Sequence, residues 1–182
     1  MATYRITNLL PANEFLLCND TYLVLLYATR IPPHLLISIN GTLFTLSVKG
    51  ATVDGHLPTL LQLIRKKKIA TAFIRLPLPH LFAIEQLKKE IRNCTLAYPR
   101  VGVGIATCLS PINDFCHSVY KTEKKDVNLI FDLLPKLHEK KVLNDCYHLN
   151  MEPYLQNGSF SLNPYEVNDV YEAIRMSSAV MA

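Results

Sequence analysis

Asn40-Gly41 separates two runs rich in apolar and β-branched residues, His34–Ile39 and Thr42–Val48. Asn-Gly readily takes the two left-handed conformations of a two-residue hairpin turn, so these runs are expected to pair antiparallel and in one register. A lone hairpin cannot bury an apolar face, so the rest of the chain must supply more strands and covering helices. Glu14–Cys18 and Thr21–Ala28 read as strands around a turn at Asn19-Asp20, and Ile69–Leu76 as a strand closed by Pro77 and Pro79. Gly50 and Asp54-Gly55 mark a loop.

Helical spacing appears where the alternation stops. Leu57, Leu60, Leu61 and Ile64 predict a helix over 57–67, and Leu81, Ile84, Leu87 and Ile91 one over 80–94. Helices are expected at about 114–122 and 126–140, with Pro135 kinking or ending the second. The tail carries Asn157-Gly158, a strand near Ser159–Leu162 and a last helix opening at Asn163-Pro164. The expected fold is α+β, a mainly antiparallel sheet packed against helices, in one domain spanning residues 1–182.

Apolar residues make up 49% of the chain and charged ones 19%, which excludes a disordered chain. The net charge of +4 is mild, and its one dense run, Arg65-Lys66-Lys67-Lys68, falls where cations meet the negative end of a helix dipole. With no tryptophan and no aromatic residue interleaved in that run, a nucleic-acid partner is not expected. The N-terminal apolar stretch, broken at Pro11, is too short for a leader, and runs such as Tyr22–Ala28 are too short to cross a bilayer. The five cysteines (Cys18, Cys94, Cys108, Cys116 and Cys146) are odd in number and form no Cys-x-x-Cys pair. Neither zinc nor a disulfide framework is expected, no cofactor is implied, and free thiols suit a cytoplasmic protein.

Two residues stand out chemically. His34 opens a strand, where a sheet can hold an imidazole at a cleft edge as a general base. Cys116 follows Asn113-Asp114, which can cap a helix and place the sulfur in its first turn, near unpaired amides that favour a thiolate. Ser110-Pro111 offers a competing helix start, which puts Cys108 just before the helix and keeps it as the alternative nucleophile. His117 would point about 100° away from Cys116 on a helix and is a poor base for it.

The order of these pieces resembles the circularly permuted branch of the NlpC-type papain-like cysteine hydrolases. His34 heads a strand, Phe115-Cys116-His117-Ser118-Val119-Tyr120 follows much later, and Leu162-Asn163-Pro164-Tyr165-Glu166-Val167 occupies the closing position. The resemblance implies a permuted papain-like fold. It also implies a thiol hydrolase or acyltransferase that cleaves an amide, thioester or ester of a peptide or acyl conjugate. In that scheme Cys116 attacks, His34 moves the proton, and Thr45 or Ser47 orients the ring in place of the family's usual carboxylate. The alternative is a catalytically inactive α+β interaction domain, in which both residues merely pack.

Overall fold

The computed structural model describes residues 3–180. The Asn40-Gly41 turn forms as expected, with φ of 45° and 73°. It joins strands that, in chain order, become β4 (His34–Ile39) and β5 (Thr42–Ser47). They lie inside a seven-stranded sheet whose other members are β2 (Leu9–Pro11), β3 (Thr21–Leu26), β6 (Gly50–His56), β7 (Thr71–Leu76) and β8 (Cys146–Leu149). The spatial order is β2-β8-β7-β3-β4-β5-β6, antiparallel throughout except for the parallel pair β2–β8. A separate two-stranded sheet pairs β1 (Arg5–Ile6) with β9 (Phe160–Ser161).

Strand alternation sorts the apolar residues to two covered faces. Leu23, Leu25, Leu35, Ile37 and Ile39 face a large core. That core is completed by α3 (Ile84–Leu96), α4 (Ser110–Tyr120) and α5 (Ile130–Glu139). Tyr22, Val24, Leu36 and Phe73 face a second core against α1 (Glu14–Cys18) and α2 (Leu57–Lys66). A third, small cluster joins Leu46, Val101 and Ala106 to Ile174 of α6 (Val167–Ala179), beside the far end of β5. The chain is therefore an α+β protein with a mostly antiparallel sheet between helices. Among the described residues, no helix is long and apolar enough to cross a membrane.

Several local expectations differ from what folds. Glu14–Cys18 is a helix, because the Asn13 side chain accepts from the Phe15 N–H at 2.9 Å and caps it. Asn19-Asp20 therefore links a helix to a strand. Gly50–His56 is an edge strand, since pairing with β5 outweighs its turn-prone glycines. The helix expected from His80 begins at Ile84 and leaves Leu81 91% exposed. Pro135 is carried within α5. The last helix opens at Val167, where Asp169 accepts from the Glu166 N–H at 2.7 Å.

Phe73 shows how tightly the second core depends on aromatic packing. It is fully buried and meets Tyr22 edge-on at 6.2 Å. Phe73→Ala should lower unfolding free energy by about 3–5 kcal/mol, read from urea denaturation. A loss below about 1 kcal/mol would mean the site collapses around the deletion.

Candidate active site

The site is built where the central hairpin comes apart. β4 and β5 pair only through Ile37–Phe44, Ser38–Leu43 and Ile39–Thr42. Between the pairs Leu43–Gly55 and Thr45–Thr52, β6 carries one residue more than β5, with Asp54 at φ 58°. Such a bulge bends the strand pair that contains it. Arg92 of α3 clasps the Asp54 carboxylate with Nη2 at 2.5 Å and Nε at 3.0 Å, fixing the bend against the helix layer. Beyond Phe44 the strands diverge, and Leu35 loses a strand partner on that side.

One side chain takes over the Leu35 carbonyl. The Thr45 hydroxyl donates to the Leu35 carbonyl at 3.2 Å, and the same oxygen lies 2.9 Å from His34 Nε2. With its proton committed to the carbonyl, the hydroxyl accepts from Nε2–H. The ring is thereby held as the Nε2–H tautomer, and Nδ1 keeps a free lone pair. On the amide side, the Leu35 N–H faces the sulfur of Cys108. One peptide neighbourhood of β4 therefore positions both an imidazole and a thiol.

Cys108 reaches this place through the start of α4. Thr107 Oγ1 accepts from the Leu109 N–H at 3.2 Å, and Ser110 Oγ accepts from the Thr107 N–H at 3.0 Å. With the Ser110 N–H donating to the Thr107 carbonyl at 3.1 Å, these bonds close a turn just ahead of α4. Cys108 lies in that turn, two residues before α4, with its sulfur near the amides of Cys108 and Leu109. The preceding segment is tied to the end of β5 by the Val101 N–H donating to Ser47 O at 2.9 Å.

His34, Ser47 and Cys108 line one open cleft of about 440 Å³, walled by the third cluster and by α6. Burial pushes the Cys108 thiol up, and the amides of Leu35, Cys108 and Leu109 offset this only in part. Burial also holds the His34 imidazole below its ordinary value of 6.5. At neutral pH the cleft therefore holds a thiol and a neutral imidazole.

The other expected residues fall elsewhere. Cys116, expected as the nucleophile in a first helical turn, is 0% exposed in the large core. Eight residues separate it from Cys108, which is about 12 Å along a helix. Burial and the neighbouring Cys94 push its thiol far up. An acyl group has no approach to that sulfur. Ser47 borders the cleft but spends its hydroxyl on its own turn, donating to Gly50 O at 3.3 Å and accepting from Lys49 N–H at 3.2 Å. Thr45, not Ser47, is thus the hydroxyl that meets the His34 ring. His117 pairs through Nδ1 with the Thr122 carbonyl at 2.7 Å. Among the described residues, no three His, Cys, Asp or Glu side chains are grouped to hold a metal ion.

The residue that sequence reasoning passed over is Thr107. The Thr-x-x-Ser spacing is a turn signal, side-chain hydroxyls bonding nearby amides, and it would have favoured the earlier helix start. Compared with protein families, curated proteins and solved structures, the chain matches none.

The lowered His34 value has a stability consequence. Above 6.5 the ring is neutral in both folded and unfolded chains, and its full contribution is present. As pH falls below that value the unfolded chain takes up a proton that the folded ring resists, and stability is lost until the folded ring protonates. His34→Gln should therefore lose less stability than the parent between about pH 7 and pH 5, measured by urea midpoints. Parallel pH profiles for the two proteins would contradict a buried neutral ring.

Proposed function

We propose that this protein is a thiol hydrolase or acyltransferase that acts on an amide, thioester or ester through Cys108 and His34. This is the activity implied by the permuted NlpC-type papain-like hydrolases, with the nucleophile at Cys108 rather than Cys116. One observation carries the proposal. His34 is held through Nε2 by Thr45, with Nδ1 left free, and lines the same cleft as Cys108, the only cysteine there.

The chemistry follows from those groups. His34 Nδ1 takes the Cys108 proton as the sulfur attacks the acyl carbon, giving a tetrahedral oxyanion. Amide hydrogens at the start of α4 offer the developing charge preorganised donors. Collapse breaks the acyl bond, and the imidazolium returns its proton to the departing amine, thiol or alcohol. Water, deprotonated by the same ring, then releases the acid from the Cys108 thioester. A second nucleophile in place of water gives acyl transfer.

Because burial raises the thiol and lowers the imidazole, the resting pair is neutral, unlike the ion pair of a strongly activated cysteine. Proton transfer must then accompany attack, and His34 matters most in the transition state. The same raised thiol also favours the second reading, an interaction domain in which Cys108 only packs.

Alkylation separates the two. With iodoacetamide at neutral pH, the Cys108 rate should fall about tenfold or more in His34→Ala, while Cys18, remote from the cleft, stays unchanged. Equal sluggishness in both proteins would leave only the interaction domain. On a thioester substrate, Cys108→Ala should remove turnover by about a thousandfold or more. Thr45→Val should lower kcat roughly tenfold or more, with Thr45→Ser restoring it, and Cys116→Ala should remain near the parent. Full activity in Cys108→Ala would place the chemistry elsewhere.

A further inference from the structure

The cleft beside Cys108 has a chemical character of its own. Ile31, Leu46 and Val101 form one side, and Val170, Ile174 and Met176 of α6 form the other. No carboxylate lines it among the described residues. Its one permanently charged side chain is Arg30, whose guanidinium carbon lies 4.1 Å from the centroid of the Tyr27 ring. Arg65, Arg75, Arg92 and Arg175 each meet a carboxylate, whereas Arg30 joins no ion pair among the described residues. A guanidinium stacked on an aromatic face is oriented with its N–H fork available, the geometry that suits a carboxylate or phosphate.

Apolar walls with a single unmatched cation select a particular class of molecule. Aliphatic surface gains by leaving water for the walls, and an anion gains by meeting Arg30, while a cation gains nothing and is repelled. Met176, 71% exposed on the rim, and the half-exposed Ile31 extend the apolar surface outwards past the cleft mouth. A short acyl group would leave this wall unused. A peptide with basic residues would meet the wrong charge.

We infer that the cleft binds an acyl conjugate with an aliphatic chain and a negative charge, the charge being read by Arg30. The inference rests on the thiol-hydrolase assignment for its chemistry, but its ligand preference is measurable without turnover. The probe is octanoate, titrated by calorimetry into the full chain carrying Cys108→Ala, with 1-octanol, octylamine and acetate as comparisons. Octanoate should bind at least about tenfold more tightly than each of the other three. Arg30→Gln should erase the preference over 1-octanol without changing the thermal midpoint, and Arg30→Lys should retain part of it. The inference is overturned if octylamine or 1-octanol binds as well as octanoate, if Arg30→Gln leaves octanoate affinity unmoved, or if octanoate does not bind. The two ideas fail separately. Arg30-dependent octanoate binding without turnover of any acyl thioester by the unsubstituted chain removes only the hydrolase. Turnover indifferent to charge and chain length removes only this ligand class.

Discussion

Everything about the candidate site depends on how one residue of a central strand satisfies its backbone. A buried peptide group that loses its ladder partner must find another donor or acceptor, at a cost of about 1–3 kcal/mol if it does not. At Leu35 the pairing with β5 has ended, the Thr45 hydroxyl takes the carbonyl, and the amide lies near the Cys108 sulfur. The same substitution that repairs the sheet assembles an imidazole, its orienting hydroxyl and a thiol in one place. Stability and chemical potential are coupled here through a single amide unit.

The surrounding architecture keeps that gap from closing. Asp54, in a left-handed conformation, sets the bulge that bends the β5–β6 edge, and Arg92 ties it to α3. On the other side, the segment from Val101 to Thr107 is pinned to Ser47 and delivers Cys108 to the opening. The small Leu46–Val101–Ala106–Ile174 cluster lies between the main core and α6 and forms the cleft's inner wall. A sheet covered on both faces is rigid enough to hold such an opening, because its strands are fixed by two independent cores.

Legibility in the sequence varied with how local each signal was. The Asn40-Gly41 hairpin, β3, β7, α2 and the existence of α3, α4 and α5 followed from turn chemistry and periodicity, which act over a few residues. Thr45 and Ser47 were equal candidates for holding His34 in the sequence, and only the fold shows which hydroxyl meets the ring. Glu14–Cys18 misled because a five-residue apolar run fits either period, and only the Asn13 cap distinguishes them. Gly50–His56 and Cys146–Leu149 carry weak strand signals of their own. They became strands because an exposed ladder edge on β5 or β7 was waiting for them. Which cysteine lies near the helix start turned on helix register. Asn113-Asp114 and Ser110-Pro111 are both plausible starts, and the hydrogen bonds of Thr107 with Leu109 and Ser110 decide for the earlier one.

The amino-acid order by itself determined the secondary-structure grammar, the α+β class and the presence of a strand-opening histidine, because these rest on short-range sterics and apolar spacing. It left Cys108 and Cys116 as rivals, since both lie on or beside one amphipathic helix. Only the tertiary structure shows how their surroundings differ. A separation of eight positions buries one sulfur in the core and sets the other in a cleft lined by His34, near the end of the β4–β5 pairing. Burial and access depend on what packs from elsewhere in the chain, and no local pattern encodes that.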